Sequence, residues 1–392
     1  MRFLIATSHF FAPNYRDAGM HRFAKALAAK GHHVDFITVG QSWLKQRLKS
    51  EARSHAAAAK MAAASRANPS NIHAHVHAER FHPPSGSART NRITVALERR
   101  YGHRLDSIFT EAATNAEVVI LECGYALYYF EAIRRLNSKA RYLAFYNDRL
   151  DLVGFRPELI ALHERLMPHF DLVRTNAERL LDYLPAGAKG CYVPQGVDKE
   201  NIRFDCPSPY GKGTRNIVSV GNMLFDEPAV REIAAAAAAQ GSDVHVIGAQ
   251  MTDPPANVIV HGELAFARTL PFIVHADVGL APYRPVAGAD YLAQSSLKIQ
   301  QYSYCGLPVL LAHGLALRGE NFVYYDRGIP GDVANAVARA LAMEKARAYG
   351  RDLLGWDEVG DRLLSAIEEI GAVRRQSANT ARGNFTQSPS AG

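Results

Sequence analysis

Twice along the chain, short apolar runs alternate with stretches of helical periodicity, and this double series constrains the fold more than any other feature. The first series has strand-like runs at residues 2–6, 34–39, 118–121, 141–145, 172–175 and 191–193, with helical patterns at 17–29, 127–136 and 157–167. The second has runs at 216–220, 243–247, 257–260, 278–281 and 309–311, with helical patterns at 227–240, 266–276 and 332–343. Runs this short and this apolar suit parallel strands covered on both faces. Between the series lies Cys206-Pro-Ser-Pro-Tyr-Gly-Lys-Gly213, which has linker composition. The pattern predicts an α/β chain of two Rossmann-like domains facing a cleft. A last helix is expected over residues 352–370, and a polar, disordered tail from Arg375.

The stretch Tyr291–Pro308 reads as loop, helix, then entry to a buried strand. Ser295 and Ser296 suit an N-cap, and Gly306 with Pro308 is a stop signal. Such a helix points unpaired N–H groups and a positive dipole end forward, which suits a phosphate or diphosphate. Lys298 and Gln301 are spaced to share a face with Ser295. By itself the stretch is more often an ordinary capped helix.

Charge narrows the partners. The chain of 392 residues carries a formal net charge of +7, so an anionic partner fits: a membrane surface, a nucleic acid or a phosphorylated substrate. The excess is concentrated in residues 45–104, with 12 Lys/Arg against 3 acids. That block reads either as a solvated face or as a membrane-facing insert drawn to anionic lipid by about 1 kcal/mol per basic residue at the surface. It lacks interleaved aromatics and any nucleic-acid motif, which counts against nucleic acid. His73, His75 and His77 alternate within it, so on a strand they would share a face able to hold metal. With no other ligand nearby in sequence, a solvated basic stretch is preferred.

Other classes fall away. No apolar run approaches a membrane span, and the N-terminus turns polar too early for a signal peptide. The 4 cysteines form no CxxC pair, which fits a reducing cytoplasm and neither a zinc site nor a disulfide framework. The first strand leads into Thr7-Ser-His-Phe-Phe11 and the second domain's first strand into Gly221-Asn-Met-Leu-Phe-Asp226. Neither is a glycine-rich dinucleotide fingerprint, and no Walker A motif occurs.

Several segments, in order, carry a resemblance. Gly221-Asn-Met-Leu-Phe-Asp226, His245-Val-Ile-Gly248, Asn257-Val-Ile-Val-His-Gly-Glu263, Gly279-Leu-Ala-Pro-Tyr283 and Tyr291–Pro308 are similar to the donor half of the GumK-like β-glucuronosyltransferases of xanthan-type exopolysaccharide assembly, glycosyltransferase family 70. Leu121-Glu-Cys-Gly124, Asn147-Asp148, Gly196-Val-Asp198, Pro207-Ser-Pro-Tyr210 and Trp356-Asp357 extend it less densely, and residues 45–104 are not matched in detail. The resemblance implies a GT-B fold. Residues 1–206 would form the acceptor-binding domain, 215–345 the donor-binding domain, 346–371 a C-terminal helical segment and 372–392 the tail. It implies UDP-glucuronate as donor, a polyprenyl-diphosphate-linked glycan as acceptor, inversion, no metal, and peripheral attachment to the cytoplasmic face of a bacterial inner membrane.

Carried over residue by residue, the resemblance makes Asp148 the catalytic base and Met223, Glu263, Tyr283, Ser296, Lys298 and Gln301 the UDP contacts. Each role has a physical basis. Inverting transfer needs one base for the acceptor hydroxyl and positive potential where the leaving group gains charge. Asp148 follows the strand at 141–145, at the end where such sheets place ligands. Glu122 and His9, after neighbouring strands, are rival bases. The chain departs from the family at residues 284–290, and it has Gln294 where the family has an acid. The same site taking another UDP-hexose, or a non-catalytic nucleotide-sugar or anionic-lipid binder on the same fold, stays open.

Overall fold

In the computed structural model the described residues are 1–11, 18–43, 71–81, 92–315 and 319–385. Most of the basic block, 44–70 and 82–91, lies outside them. Two parallel sheets account for both series of apolar runs. The first has seven strands in the order β3-β2-β1-β4-β5-β6-β7 and the second six in the order β10-β9-β8-β11-β12-β13. The strands of the first are β1 (Arg2–Thr7), β2 (His33–Ser42), β3 (Ile72–Glu79), β4 (Val118–Glu122), β5 (Arg141–Tyr146), β6 (Leu172–Thr175) and β7 (Gly190–Tyr192). Those of the second are β8 (Arg215–Val220), β9 (Ser242–Ile247), β10 (Val258–Gly262), β11 (Val278–Ala281), β12 (Val309–Ala312) and β13 (Phe322–Tyr325). Central strands such as β12, and β4 up to its last residue Glu122, are apolar because helices cover both of their faces.

Among the helices, α1 (Gly19–Ala29), α2 (Arg92–Glu98), α3 (Ser107–Asn115), α4 (Phe130–Leu136) and α5 (Pro157–Leu166) belong to the first half. The second half holds α6 (Glu227–Ala238), α7 (Phe266–His275), α8 (Leu292–Ser295), α9 (Leu297–Tyr304) and α10 (Asp332–Ala342). The last helix, α11 (Trp356–Phe385), returns to the first half. Its Trp356 packs edge-on against Phe23 of α1 at 5.3 Å between centroids. Val359, Leu363 and Ile367 bury their apolar stripe in the same core as Phe3 and Phe145. This helix is longer than the 352–370 expected and runs past Arg375, because the stretch beyond Ile370 contains no proline to stop it.

The basic block differs from its expectation. Its histidine-rich part is β3, a full edge strand paired in parallel with β2. Its end is folded too. Glu98 is 5% exposed and pairs with Arg156 at 3.2 Å. The Tyr101 hydroxyl accepts from the Gly40 N–H at 3.1 Å. Composition hid this, because an edge strand with paired imidazoles on one face resembles a solvated polar stretch.

In the second sheet, close packing of α9 leaves no space at Gly279. A Cβ there would lie 2.4 Å from the Tyr302 ring, whose hydroxyl accepts from the Val220 N–H at 2.9 Å. Gly279→Ala is expected to destabilise the protein by about 1–3 kcal/mol by overpacking, read as a lower urea midpoint at unchanged slope.

Candidate active site

In the first sheet the chain moves outward from β1 to β2 on one side and from β4 to β5 on the other. The crevice at this switch point lies beyond the carboxyl ends of β1, β4 and β5, where open α/β sheets hold ligands. Those ends deliver Thr7 and His9, Glu122, and Asn147 with Asp148. Glu122 accepts from the Thr7 hydroxyl and, at 3.2 Å, from the Asn147 amide, and stands 3.5 Å from His9 Nε2. Beneath them Arg174 of β6, 1% exposed, donates to Asn147 Oδ1 at 2.6 Å and to the Pro194 carbonyl at 2.8 Å. Burial alone lowers its guanidinium to about 9.

The two carboxyls are driven apart. Burial pushes Glu122 up, but His9, Thr7 and Asn147 together hold it below its ordinary value, so it stays ionised. Burial raises Asp148 to about 7, the Tyr291 hydroxyl pulling it down and the Glu122 charge pushing it up. Asp148 is therefore a carboxylate that takes up a proton near neutrality, as a general base should.

In the second sheet the switch point falls between β8 and β11. Beyond β8, Gly221 takes φ +87°, as does Gly248 beyond β9, and the two backbones pass so closely that a Cβ on Gly248 would lie 3.3 Å from Gly221 Cα. Only glycine meets both conditions at low cost. Opposite them α9 begins. Ser296 is its N-cap, its Oγ accepting from the Ile299 N–H at 3.4 Å and lying 2.7 Å from the Tyr283 hydroxyl. The first N–H groups of α9 have no acceptor within the helix. Lys298 Nζ sits 4.6 Å from the Tyr283 ring centroid, in cation–π contact, and beside Gly221. Burial lowers the Lys298 ammonium to about 8. Among the described residues no carboxylate pairs with it. A part-buried cation on the first turn of a helix with open N–H groups is an arrangement that suits an anion, called the cradle below.

Across the cleft the halves touch through side chains. Tyr291 donates to Asp148 Oδ1 at 3.1 Å. Gln294 accepts from the Glu178 N–H at 2.7 Å and donates to its carboxylate at 3.2 Å. Arg179 pairs with Asp290 at 2.9 Å, and the Gln195 amide donates to the Ser295 carbonyl at 3.2 Å.

The residues expected from the sequence divide between these two groups. Asp148 lies on the first-half rim with both rivals, Glu122 and His9. Ser296 and Lys298 form the cradle, with Gln301 buried one turn into α9. Tyr283 is 4% exposed and sits beneath Ser296 and Lys298, as a support for them. Met223 and exposed Glu263 follow β8 and β10 on the same carboxyl edge. The cap is Ser296, since Ser295 ends the short α8. Sequence reasoning missed Arg174 and Tyr291; a lone Arg inside the strand-like run Leu172–Thr175 was the available signal for the first.

Two parallel sheets whose carboxyl ends face each other across a cleft define the GT-B glycosyltransferase architecture. Sucrose-phosphate synthase from Thermosynechococcus elongatus shares it with a TM-score of 0.60 at 14% identity, the match covering 95% of this chain and 99% of that one. The α,α-trehalose-phosphate synthase of Burkholderia xenovorans gives 0.63 at 15%, covering 94% and 100%. The family model described as glucuronosyltransferase GumK, N-terminal domain, matches residues 5–176. The UDP-glucuronate:glycolipid 2-β-glucuronosyltransferase of Xanthomonas campestris pv. campestris is 30% identical over 275 residues, 69% of this chain and 68% of that protein. The chain belongs to the GumK glucuronosyltransferase family.

A diphosphate held in front of α9 needs Lys298 protonated. The affinity for UDP is expected to hold steady below about pH 8 and fall above it, since the free ammonium loses its proton there. Calorimetric titration across pH 6.5–9.5 checks this. Lys298→Ala should weaken binding at least tenfold and remove the pH break, and Lys298→Arg should remove the break alone.

Proposed function

We propose that this protein is an inverting glycosyltransferase that moves glucuronic acid from UDP-glucuronate to a polyprenyl-diphosphate-linked glycan in exopolysaccharide assembly. The observation that carries the reading is the facing of Asp148 and the Lys298 cradle across one cleft in a chain of this family. The relative's name gives a β product. UDP-glucuronate is α-linked, so a β product means a single displacement.

In that displacement the ionised Asp148 accepts the proton of the acceptor hydroxyl. The hydroxyl oxygen attacks the anomeric carbon from the face opposite UDP, and the bond to the β-phosphate oxygen breaks. UDP leaves with the bonding pair, its new charge met by Lys298 and the N–H groups of α9. Ser296 and Tyr283 hold Lys298 in place. Met223, Glu263 and Gln301, on the same edge, serve the nucleotide. Glu122 stays ionised and keeps the Asp148 proton affinity high. The first half would take the acceptor and the second half the donor.

Asp148→Asn keeps the shape and the Tyr291 contact and removes the base. Transfer from UDP-glucuronate to a lipid-linked acceptor is expected to fall by 10²–10⁴-fold, the usual worth of a general base, with UDP affinity unchanged. In the wild type kcat/KM should rise with pH to a plateau above about 7, the value burial gives the free carboxyl. Survival of transfer within a few-fold in the variant would hand the role to Glu122 or His9. A donor screen that finds another UDP-hexose preferred would change the sugar and keep the chemistry.

A lipid-linked acceptor asks for a place at the membrane, and no helix among the described residues is long and apolar enough to cross one. We place the protein peripherally on the cytoplasmic face of the inner membrane, where UDP-sugars are made. The described parts of the 45–104 block support docking there. Phe81 and Ile93 of that block are 53% and 72% exposed, next in sequence to exposed Arg80 and Arg92. Exposed apolar side chains flanked by cations suit an anionic lipid surface. In flotation assays the protein should rise with vesicles containing anionic lipid and stay behind with neutral ones, and 0.5 M salt should release it; indifference to lipid charge would remove the membrane role of this face.

A further inference from the structure

The alternating histidines of β3 meet partners that their own stretch of sequence lacks. Parallel pairing sets His73 beside Asp35 of β2, and Asp35 beside Leu4 of β1. His33, two residues before Asp35 on β2, puts its ring on the same side. The Asp35 Oδ1 atom then stands 3.2 Å from His33 Nε2 and 3.8 Å from His73 Nδ1. All three donor atoms lie within 4.8 Å of one another. The two rings meet at 4.4 Å between centroids, nearly perpendicular, so both nitrogens turn toward the same carboxylate.

We propose that His33, Asp35 and His73 form a binding site for a Zn²⁺-class divalent transition-metal ion, separate from the transfer site. Ligand atoms about 2.0–2.1 Å from a tetrahedral Zn²⁺ stand roughly 3.3–3.5 Å apart. The spacings here bracket that range, so small side-chain adjustments suffice. Two neutral imidazoles and one carboxylate are a borderline donor set that selects Zn²⁺, Ni²⁺ or Cu²⁺ over Mg²⁺ and Ca²⁺. Binding places the remaining imidazole protons on His33 Nδ1 and His73 Nε2.

The surroundings fit such a role. Asp35 is 6% exposed, and Arg2 Nε donates to its Oδ2 at 2.9 Å. The carboxylate is thereby fixed with Oδ1 left for the ion, as an outer partner of a metal ligand does. His73, with its side chain 63% exposed, leaves a fourth position for water. A groove of about 440 Å³ lined by Arg2, Asp35, His73, His75 and Glu111 gives the ion a way in. The neighbouring imidazoles are already used, since His75 and His77 both bond Asp106 Oδ2 at 2.8 Å.

Its place in the sheet sets its consequence. His33 and Asp35 open β2, at the amino edge, whereas Thr7, Glu122 and Asp148 stand at or beyond the carboxyl edge. The ion would tie the edge strand β3 to β2 and leave the transfer chemistry alone.

The test is titration of untagged, chelator-stripped, full-length protein with Zn²⁺ against a chromophoric chelator, together with thermal melts. The expected result is one equivalent bound with Kd below about 1 µM, a rise in Tm with Zn²⁺, and no response to Mg²⁺. His73→Ala, at an exposed side chain that folding does not need, should weaken binding at least tenfold and abolish the Tm rise, and His75→Ala should retain both. Absence of Zn²⁺ binding tighter than about 10 µM would overturn the site, as would unchanged binding in His73→Ala or a loss confined to His75→Ala.

Discussion

The contact between Tyr291 and Asp148 joins the two halves at the point where their chemistry meets. Each sheet alone presents an ordinary ligand-binding edge. Brought together, they remove water from Asp148, and burial is the largest cause of its raised proton affinity. If the halves part, water returns to the carboxylate and its pKa falls toward the ordinary value of about 4. The strength of the proposed base is thus tied to closure of the cleft. In the proposed transfer, an acceptor hydroxyl meets an effective base only when the donor-side helix, with Tyr291 just before it, is in position. The same closure would exclude the water that otherwise hydrolyses a donor.

Closure would be useless if both carboxylates on the first-half rim gained protons together. The fold prevents that by unequal support. Glu122 receives the Thr7 hydroxyl, the Asn147 amide and His9, and Asn147 is itself oriented by Arg174. Asp148, the next residue after Asn147, receives one hydroxyl from the opposite half. Two acids at neighbouring strand ends thereby separate into an ionised carboxylate and one that titrates near neutrality. Arg174 orients the Asn147 amide that donates to Glu122, so it supports that carboxylate through a residue between them.

How much of this was legible depends on how locally it is encoded. Val278–Ala281 was bounded to the residue, because a strand buried on both faces is apolar from end to end and stops where polarity begins; Leu172–Thr175 was bounded too, although Arg174 interrupts its apolar pattern. The helix expected over 127–136 is a 3-10 turn, Tyr125–Tyr129, followed by α4, and hydrophobic pattern does not separate the two. The strand β13 went unread because a four-residue strand followed by a turn carries little period. Lys298 was marked by the pattern of its stretch and Asp148 by family resemblance, and the environments of both were not legible. Tyr291 and Asp148 are 143 residues apart, and nothing local to either announces the pairing. The three histidines of β3 could be seen to share a face, but the carboxylates they meet, Asp35 and Asp106, come from other elements.

The departures from the family pattern, at residues 284–290 and at Gln294, acquire a physical role from the cleft contacts. Gln294 both accepts from the Glu178 N–H and donates to the Glu178 carboxylate. An acid at that position keeps the first bond, loses the second, and sets two carboxylates against each other. Asp290, which ends the departing loop, pairs with Arg179, the residue after Glu178. Gly288 of the same loop lies against the Arg149 guanidinium, where a Cβ would overlap Nη1. Arg149 in turn is held by Asp151 and by the Tyr183 ring at 4.4 Å. Three of the changed positions therefore face one surface of the first half, between the base and the 3-10 turn Glu178–Tyr183. The divergence is accounted for by refitting of the seam between the halves, while the cradle of Ser296 and Lys298 behind it keeps the family pattern. A sequence that changes its seam and keeps its cradle has altered the contacts between its halves and kept the residues of the cradle.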